Sequence, residues 1–276
     1  YMPLEELRRL DAARLLEGGM KGGRRLPALM VHDGYYVSEL DQRISMEKYA
    51  GHLDFLAGSN FGEVTMRKGM MLGGAPYTSV QEVNARAREM LGSLYDLYDF
   101  EHISGLTEEN LDMRSRWLAV QGMSFRGGIM TNRIFGRYRA EKFPDARTWT
   151  YLCTQIPPSR PEEKGTIRDE NIQLSWHSAE LWYTFASLRE NVPPARPWRA
   201  EDFKTAELMS SYWANFMRTG DPNGEGLPVW PRGDETLSWM ELKAEPEAHV
   251  GLEGPLDEMI LKYLENNIEE NMWKML

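Results

Sequence analysis

Apolar residues recur at intervals of three and four along most of the chain, a spacing typical of amphipathic helices. This pattern predicts helices over residues 79–91, 107–120, 131–142, 178–188, 202–218 and 256–276. A further helix is expected to begin at Pro3 and to end before a glycine-rich loop at residues 18–23. Polar turn residues at 220–224 separate the last two helical segments.

Two segments have the composition of buried strands. Residues 53–58 form a short apolar run that Gly58-Ser59-Asn60 stops, and residues 148–156 are rich in Thr, Tyr and Trp before a Pro-Pro pair. Residues 26–31 are predicted to be extended and residues 169–173 to form a loop. Strands separated by helices favour an α/β layered domain, but two buried strands are too few to complete one.

Composition and charge exclude several classes of protein. The 276 residues carry 32 Lys and Arg against 42 Asp and Glu, a net charge of −10, which argues against nonspecific nucleic-acid binding. No apolar run reaches the roughly 18–20 residues of a membrane span, so no membrane partner is expected. Cys153 is the single cysteine, and it can form neither an internal disulfide nor a cysteine-based zinc site.

Glu63 and His177 are the two candidate reacting groups. Each follows a predicted strand and its loop, and reacting groups of open α/β sheets lie beyond the carboxyl ends of strands. The plainer interpretation makes Glu63 a surface carboxylate and His177 the first residue of a helix, since a lone histidine is more often structural or solvated than catalytic. Spacing alone does not separate the two interpretations.

Neither a metal nor a cofactor is predicted. His177 and Glu180 have the i,i+3 spacing of half a helical metal site, but no second such pair occurs in the chain. Residues 221–226 loosely resemble a calcium loop, yet Pro222 intrudes and Arg232 stands at the twelfth position, so a plain turn is the better interpretation. There is no P-loop and no Gly-x-Gly-x-x-Gly that opens a helix after a strand.

Four motifs in order resemble one family. Residues 177–185 read His-Ser-Ala-Glu-Leu-Trp-Tyr-Thr-Phe, and residues 212–223 end in Arg-Thr-Gly-Asp-Pro-Asn before Leu-Pro-Val-Trp-Pro at 227–231. Upstream, residues 56–63 and 27–34 complete the set. Together they resemble the C-terminal part of the type-B carboxylesterases, the esterase–cholinesterase family of α/β-hydrolases.

The resemblance implies an α/β fold that is the C-terminal part of an α/β-hydrolase, incomplete without an N-terminal half. It implies that residues 1–276 are the C-terminal portion of a single carboxylesterase domain. It further implies that Glu63 is the acid of a catalytic triad, that His177 is the general base, and that Glu180 is a structural anchor. The order of acid before histidine agrees with the chain order of α/β-hydrolases.

The chain departs from the family pattern at the nucleophile. No Gly-x-Ser-x-Gly and no HGGG-type oxyanion loop occurs, and Ser93, Ser104 and Ser124 have the wrong neighbours for a nucleophile elbow. The resemblance therefore implies a small ester as substrate and an N-terminal half, on a second chain, as the partner that supplies the serine. The chain alone is expected to be inactive. Two alternatives are a noncatalytic binding or adhesion protein of the same fold and an inactive fragment.

Two further expectations concern the cellular location and the substrate pocket. The lack of disulfide cysteines is more like bacterial family members than secreted animal ones, which favours a cytoplasmic location. The residues that flank the acid and the base are expected to line the substrate pocket: Phe61, Val64, Thr65 and Trp176.

Overall fold

The computed structural model describes residues 3–11, 13–14, 34–35, 41–63, 77–123, 127–190, 195–234, 236–266 and 268. The chain divides into two units, Tyr1–Ser45 and Met46–Leu276. In its described part, the first unit contains helices α1 (Leu4–Leu7) and α2 (Gln42–Ser45). The predicted extended piece at residues 26–31 and the glycine-rich loop at 18–23 lie outside the described residues.

A four-stranded sheet lies at the centre of the second unit. Its strands, in spatial order, are β1 (Phe55–Asn60), β2 (Thr148–Cys153), β3 (Trp239–Leu242) and β4 (Glu247–His249). The first three strands are parallel, and β4 runs antiparallel to β3. Phe55 lies opposite Thr148 and Asn60 lies opposite Cys153, so the carboxyl ends of β1 and β2 are side by side.

Helices occupy the connections between the strands. Between β1 and β2 lie α3 (Val80–Leu91), α4 (Ser93–Leu97), α5 (Phe100–Ile103), α6 (Leu111–Leu118) and α7 (Ile129–Lys142). Between β2 and β3 lie α8 (Glu170–Gln173), α9 (Leu181–Thr184) and α10 (Ala200–Thr219), and α11 (Pro255–Asn266) follows β4. π-Helical turns occur at Met46–Ala50 and Ala119–Met123, and a 3₁₀ turn at Pro161–Glu163. No helix in the described residues combines the length and apolarity needed to cross a bilayer.

β2 is an inner strand, paired with β1 and β3, and apolar layers cover both of its faces. All six of its residues are buried. Trp149 and Tyr151 pack in one cluster with Met209 of α10, whereas Leu152 packs on the other face with Ile129 of α7. Burial on both faces is the environment of parallel strands in α/β proteins, and it suits a segment rich in Trp, Tyr and Thr.

The structure confirms most of the long predicted elements. The strands at 53–58 and 148–156 are present as β1 and β2, and the helices predicted at 79–91, 131–142 and 202–218 are present as α3, α7 and α10. α3 shows why: Ser79 caps its first turn by accepting a hydrogen bond from the Glu82 amide, and Val83, Ala87 and Leu91 bury one face.

Four predictions need correction. The helix predicted from Pro3 to the glycine-rich loop is interrupted, because α1 ends after four residues and residues 8–11 are not helical. The predicted loop at 169–173 contains α8, because the Asp169 side chain caps it. The predicted helix at 178–188 shortens to the four residues of α9, because Ser178 and Ala186 at its two ends have φ values of 70° and 45°. The helix predicted from residue 107 begins at Leu111 as α6 and passes into the π-helical turn at Ala119–Met123. β3 and β4 were not predicted. Beyond Asn266 only residue 268 of the predicted last helix is described.

Arg139 of α7 is a fully buried cation that holds the turn before β1. Its guanidinium donates hydrogen bonds to the carbonyls of Ala50, Gly51 and Leu53 and lies 4.1 Å from the ring centre of Phe55. Burial lowers the pKa of Arg139, and the nearby carboxylate of Asp54 partly opposes this shift. The side chain therefore provides hydrogen-bond donors to backbone carbonyls of the turn that leads into β1.

We expect Arg139→Met to lower the free energy of unfolding by about 2–4 kcal/mol, because buried carbonyls lose a charged donor. Arg137→Met on the same helix is the matched control. Arg137 is partly exposed and pairs with Glu265, so its loss should cost less than about 1 kcal/mol. Urea denaturation of both variants measures the difference, and equal losses would show that Arg139 does not hold the turn.

Candidate active site

Glu63 stands in a tight turn directly after β1. Its backbone N–H donates to the carbonyl of Asn60 at 3.2 Å, and its Oε1 accepts a hydrogen bond from the backbone N–H of Asn60 at 3.4 Å. The side chain is only 13% exposed. The turn thus directs the Glu63 carboxylate along the carboxyl edge of the sheet instead of out into solvent.

His177 lies in the loop that follows β2, and the structure brings it to Glu63. The imidazole Nδ1 is 2.7 Å from Oε2 of Glu63, although the two residues are 114 positions apart. The His177 side chain is 68% exposed, in contrast to the nearly buried carboxylate. The Glu63 carboxylate is therefore held within the protein, whereas the His177 ring is accessible from solvent at the sheet edge.

The two loops touch through their backbones at Gly62. Its N–H donates to the carbonyl of Ser175 at 2.7 Å, and Gly62 forms an isolated parallel bridge with Trp176. A Cβ atom at position 62 would overlap the carbonyl oxygens of Gln173 and Ser175. Glycine is needed here for close approach, and this approach sets the distance between the acid turn and the histidine loop.

Asn60 also joins the two loops, and sequence reasoning did not identify it. Its Nδ2 donates to the carbonyl of Trp176 at 3.0 Å and to the carboxylate of Glu180. Glu180, expected from the sequence to be an anchor near the histidine loop, contacts the acid turn through this bond. The signal available in the sequence was weak: an asparagine at the end of a strand reads as an ordinary turn residue.

The pair has the arrangement of an acid-oriented base. An ionised Glu63 accepts a hydrogen bond from Nδ1–H, which leaves the lone pair of Nε2 free to take a proton. Among the described residues, no hydrogen-bond partner faces Nε2. This tautomer is assigned from the hydrogen-bond network, since the carboxylate accepts and cannot donate.

The thiol of Cys153 also lies near this edge of the sheet, but it is not a candidate nucleophile. It ends β2, it is fully buried, and burial raises the pKa of its thiol to about 12. The hydroxyl of Ser175 donates to its sulfur at 3.7 Å. A thiol that stays protonated at neutral pH is an inert core group.

Comparison with known proteins identifies the family. The sequence profile of the carboxylesterase family matches residues 135–260. The liver carboxylesterase of Sus scrofa is 37% identical over 236 residues, which cover 81% of this chain and 39% of that protein. Liver carboxylesterase 1 of Oryctolagus cuniculus is 24% identical over 229 residues, with 79% of this chain and 38% of that protein covered.

The chain belongs to the carboxylesterase family. It spans about two fifths of the length of these curated relatives. The family match includes His177 but begins after Glu63, so the acid turn lies outside the segment that the profile covers.

Solved structures show the fold of this carboxylesterase-family chain. A carboxylesterase of Geobacillus stearothermophilus superposes with a TM-score of 0.58 and 20% identity, over 92% of this chain and 50% of that one. An esterase of Clostridium hathewayi, described as able to hydrolyse aliphatic aromatic polyesters, gives a TM-score of 0.52 and 17% identity over 92% and 45%. The fold is therefore part of an α/β-hydrolase, as the sequence predicted.

Of the expected pocket residues, two are described by the structure. Phe61 is buried with its ring edge-on to Trp117, at 5.4 Å between centroids. Trp176 is partly buried, and the guanidinium of Arg196 lies 4.9 Å from its ring centre. Val64 and Thr65 lie outside the described residues.

One cluster of described residues has metal-ligand types in reach of one another: Glu241, Glu247 and His249 on the β3–β4 hairpin. The ammonium of Lys243 lies 2.5 Å from Glu241 and 3.0 Å from Glu247, so both carboxylates already share a cationic partner. Nδ1 of His249 bonds to Glu253. We interpret the cluster as an ion-pair network, in which Nε2 of His249 is buried without a hydrogen-bond partner among the described residues, 3.9 Å from Glu241. The turn at residues 221–226, which loosely resembles a calcium loop in sequence, is held by hydrogen bonds within the protein: Asn223 bonds to Asp221 and to the backbone of Trp230.

A buried ion pair supports the residue that precedes His177. Arg196, which stacks on Trp176, donates to Glu163 at 2.8 Å and to the carbonyl of Pro158 at 2.9 Å. Burial alone would raise the pKa of Glu163, but hydrogen bonds from Arg160 and the charge of Arg196 lower it to about 2. Ionised Glu163 thus fixes the guanidinium that covers Trp176.

This shift makes stability depend on pH. Because the folded pKa of Glu163 is about 2 and the ordinary value is 4.5, the ionised carboxylate contributes roughly 3 kcal/mol above pH 5. That contribution is lost as pH falls from about 5 toward 2. Glu163→Gln should therefore be less stable than wild type at pH 7, and the gap should close in acid. The exposed neighbour variant Glu162→Gln should change stability by under about 1 kcal/mol.

Denaturant titrations at pH 7, 5 and 3.5 measure both variants. A gap between wild type and Glu163→Gln that stays constant over this range would contradict the assignment of the lowered pKa.

Proposed function

We propose that this chain takes part in carboxylic ester hydrolysis by a Ser-Glu-His triad, with Glu63 as the acid and His177 as the general base. The observation that carries the proposal is the 2.7 Å hydrogen bond between Nδ1 of His177 and the Glu63 carboxylate. Family membership and the order of acid before histidine support the reaction class. The serine and the oxyanion hole are supplied from outside the 276 residues, by the N-terminal half of the esterase.

Each group has a defined role in this reaction. Nε2 of His177 takes the proton of the serine hydroxyl as the oxygen attacks the ester carbonyl, and it returns that proton to the departing alcohol. Water then attacks the acyl-enzyme, with His177 again as the general base, and the carboxylic acid product is released. Glu63 holds the ring in the required tautomer and stabilises the imidazolium that forms in both steps.

The open edge of β1 supports a partner at this position. Within the described residues β1 pairs only with β2, and four of its six residues are only partly buried. An unpaired edge presents backbone donors and acceptors next to apolar side chains, which favours the addition of a strand. A strand there would lie beside the acid turn and close to Nε2 of His177, where a nucleophile is required.

A fluorophosphonate probe, which reacts preferentially with an activated serine, tests the proposal. We expect the assembly purified through a tag on this chain to carry the label on a serine outside residues 1–276. His177→Ala should lower kcat for a short-chain aryl ester by about 10³-fold or more, and Glu63→Gln by about 10²-fold or more. The double variant should be no slower than His177→Ala, because Glu63 acts only through the ring.

His249→Ala is the matched control, since His249 also bonds a carboxylate through Nδ1 but lies on the β3–β4 hairpin. It should leave kcat unchanged. A folded assembly that never takes up the label would overturn the esterase proposal and favour a noncatalytic binding protein. Full activity of Glu63→Gln would show that the acid is misassigned.

A further inference from the structure

Asn60 stands where the two halves of the candidate site meet. It is the last residue of β1, it is 1% exposed, and it contacts both loops. Its backbone amide and carbonyl bond to Glu63, whereas its side-chain amide bonds to the carbonyl of Trp176 and to Glu180. The Trp176 carbonyl belongs to the peptide group that leads into His177, so one residue holds the backbone of both the acid and the base.

The loop that carries His177 has a backbone that needs such support. Leu174 has φ 53° and ψ −140°, and Ser178 has φ 70°, so two non-glycine residues on either side of His177 adopt conformations that favour glycine. Such conformations cost free energy and persist only where surrounding contacts impose them. Besides the Glu63–His177 hydrogen bond, the contacts that join the acid turn to this loop include the backbone bond from Gly62 to Ser175 and the two bonds of the Asn60 side-chain amide.

The chemistry at position 60 requires a neutral donor. A carbonyl and a carboxylate, both acceptors, face the amide, and this fixes its NH₂ end. The Oδ1 of Asn60 is buried and has no hydrogen-bond partner among the described residues. The NH₂ group therefore makes all the described hydrogen bonds of this side chain. An aspartate of the same shape would place a second carboxylate against Glu180 and donate nothing.

We propose that Asn60 is a positioning residue that holds the histidine loop in the strained geometry that keeps His177 bonded to Glu63. The inference rests on the proposed function but adds a residue to it. Asn60 acts on the peptide before His177 and does not touch the reacting atoms. Its loss should therefore lower kcat through a misplaced imidazole while KM for the ester stays nearly constant.

Two variants and a matched control test this. Asn60→Ala removes the amide, and Asn60→Asp keeps its shape but removes the donors. Asn223→Ala is the control, because the Asn223 amide likewise donates to a tryptophan carbonyl, that of Trp230 at 3.1 Å, far along the chain from the candidate pair. All three are measured in the assembled esterase for kcat, KM and unfolding midpoint.

We expect both Asn60 variants to lower kcat by about 10- to 100-fold, with KM within about twofold of wild type. Asn223→Ala should keep kcat even where it lowers the unfolding midpoint as much. The low-field proton resonance of a carboxylate-bound His177 Nδ1–H supplies a second readout. It should be present in wild type and Asn223→Ala, and broadened or lost in both Asn60 variants.

The outcomes separate this inference from the proposed function. Wild-type kcat and an unchanged resonance in either folded Asn60 variant, with His177→Ala inactive, would overturn the role of Asn60 and leave the triad intact. Absence of the resonance in wild type, or full activity of His177→Ala, would overturn the proposed function itself.

Discussion

The parallel register of β1 on β2 is the constraint from which the candidate site follows. Because Asn60 lies opposite Cys153, the chain leaves both strands at the same edge and at the same level. The acid turn needs only three residues to reach Glu63, and the longer loop after β2 returns to the same point with His177. A shift of this register by one residue would reverse which side chains face α7 and α10, and the buried aromatic layer of β2 prevents it.

Much of this arrangement could be predicted, because it depends on local signals. The apolar run of β1, the aromatic run of β2 and the capped periodicity of α3 each encode an element within a dozen residues. Two candidates that follow neighbouring parallel strands are then expected to meet, and Glu63 and His177 do. The pairing of strands distant in sequence needed only the assumption of one parallel sheet.

The remainder depends on contacts that no local pattern encodes. Strand β3 is four residues long, and its pairing with β2 decides its conformation more than its composition does. Arg139 reads as one more charge on a helix, yet it is buried against carbonyls about 90 positions away. Asn60 acquires its partners 116 and 120 positions along the chain, and only the folded loops reveal them.

The unequal exposure of the acid and the base has an electrostatic consequence. Two unit charges about 4 Å apart attract by about 1 kcal/mol in bulk water and by about 4 kcal/mol where the effective dielectric constant is near 20. With 68% of its side chain in water, the His177 imidazolium gains little from Glu63. A partner that covers the ring would raise the strength of that attraction several-fold without moving an atom of the pair. Exclusion of water would thus strengthen the stabilisation of the imidazolium by Glu63 at a position that the fold has already fixed.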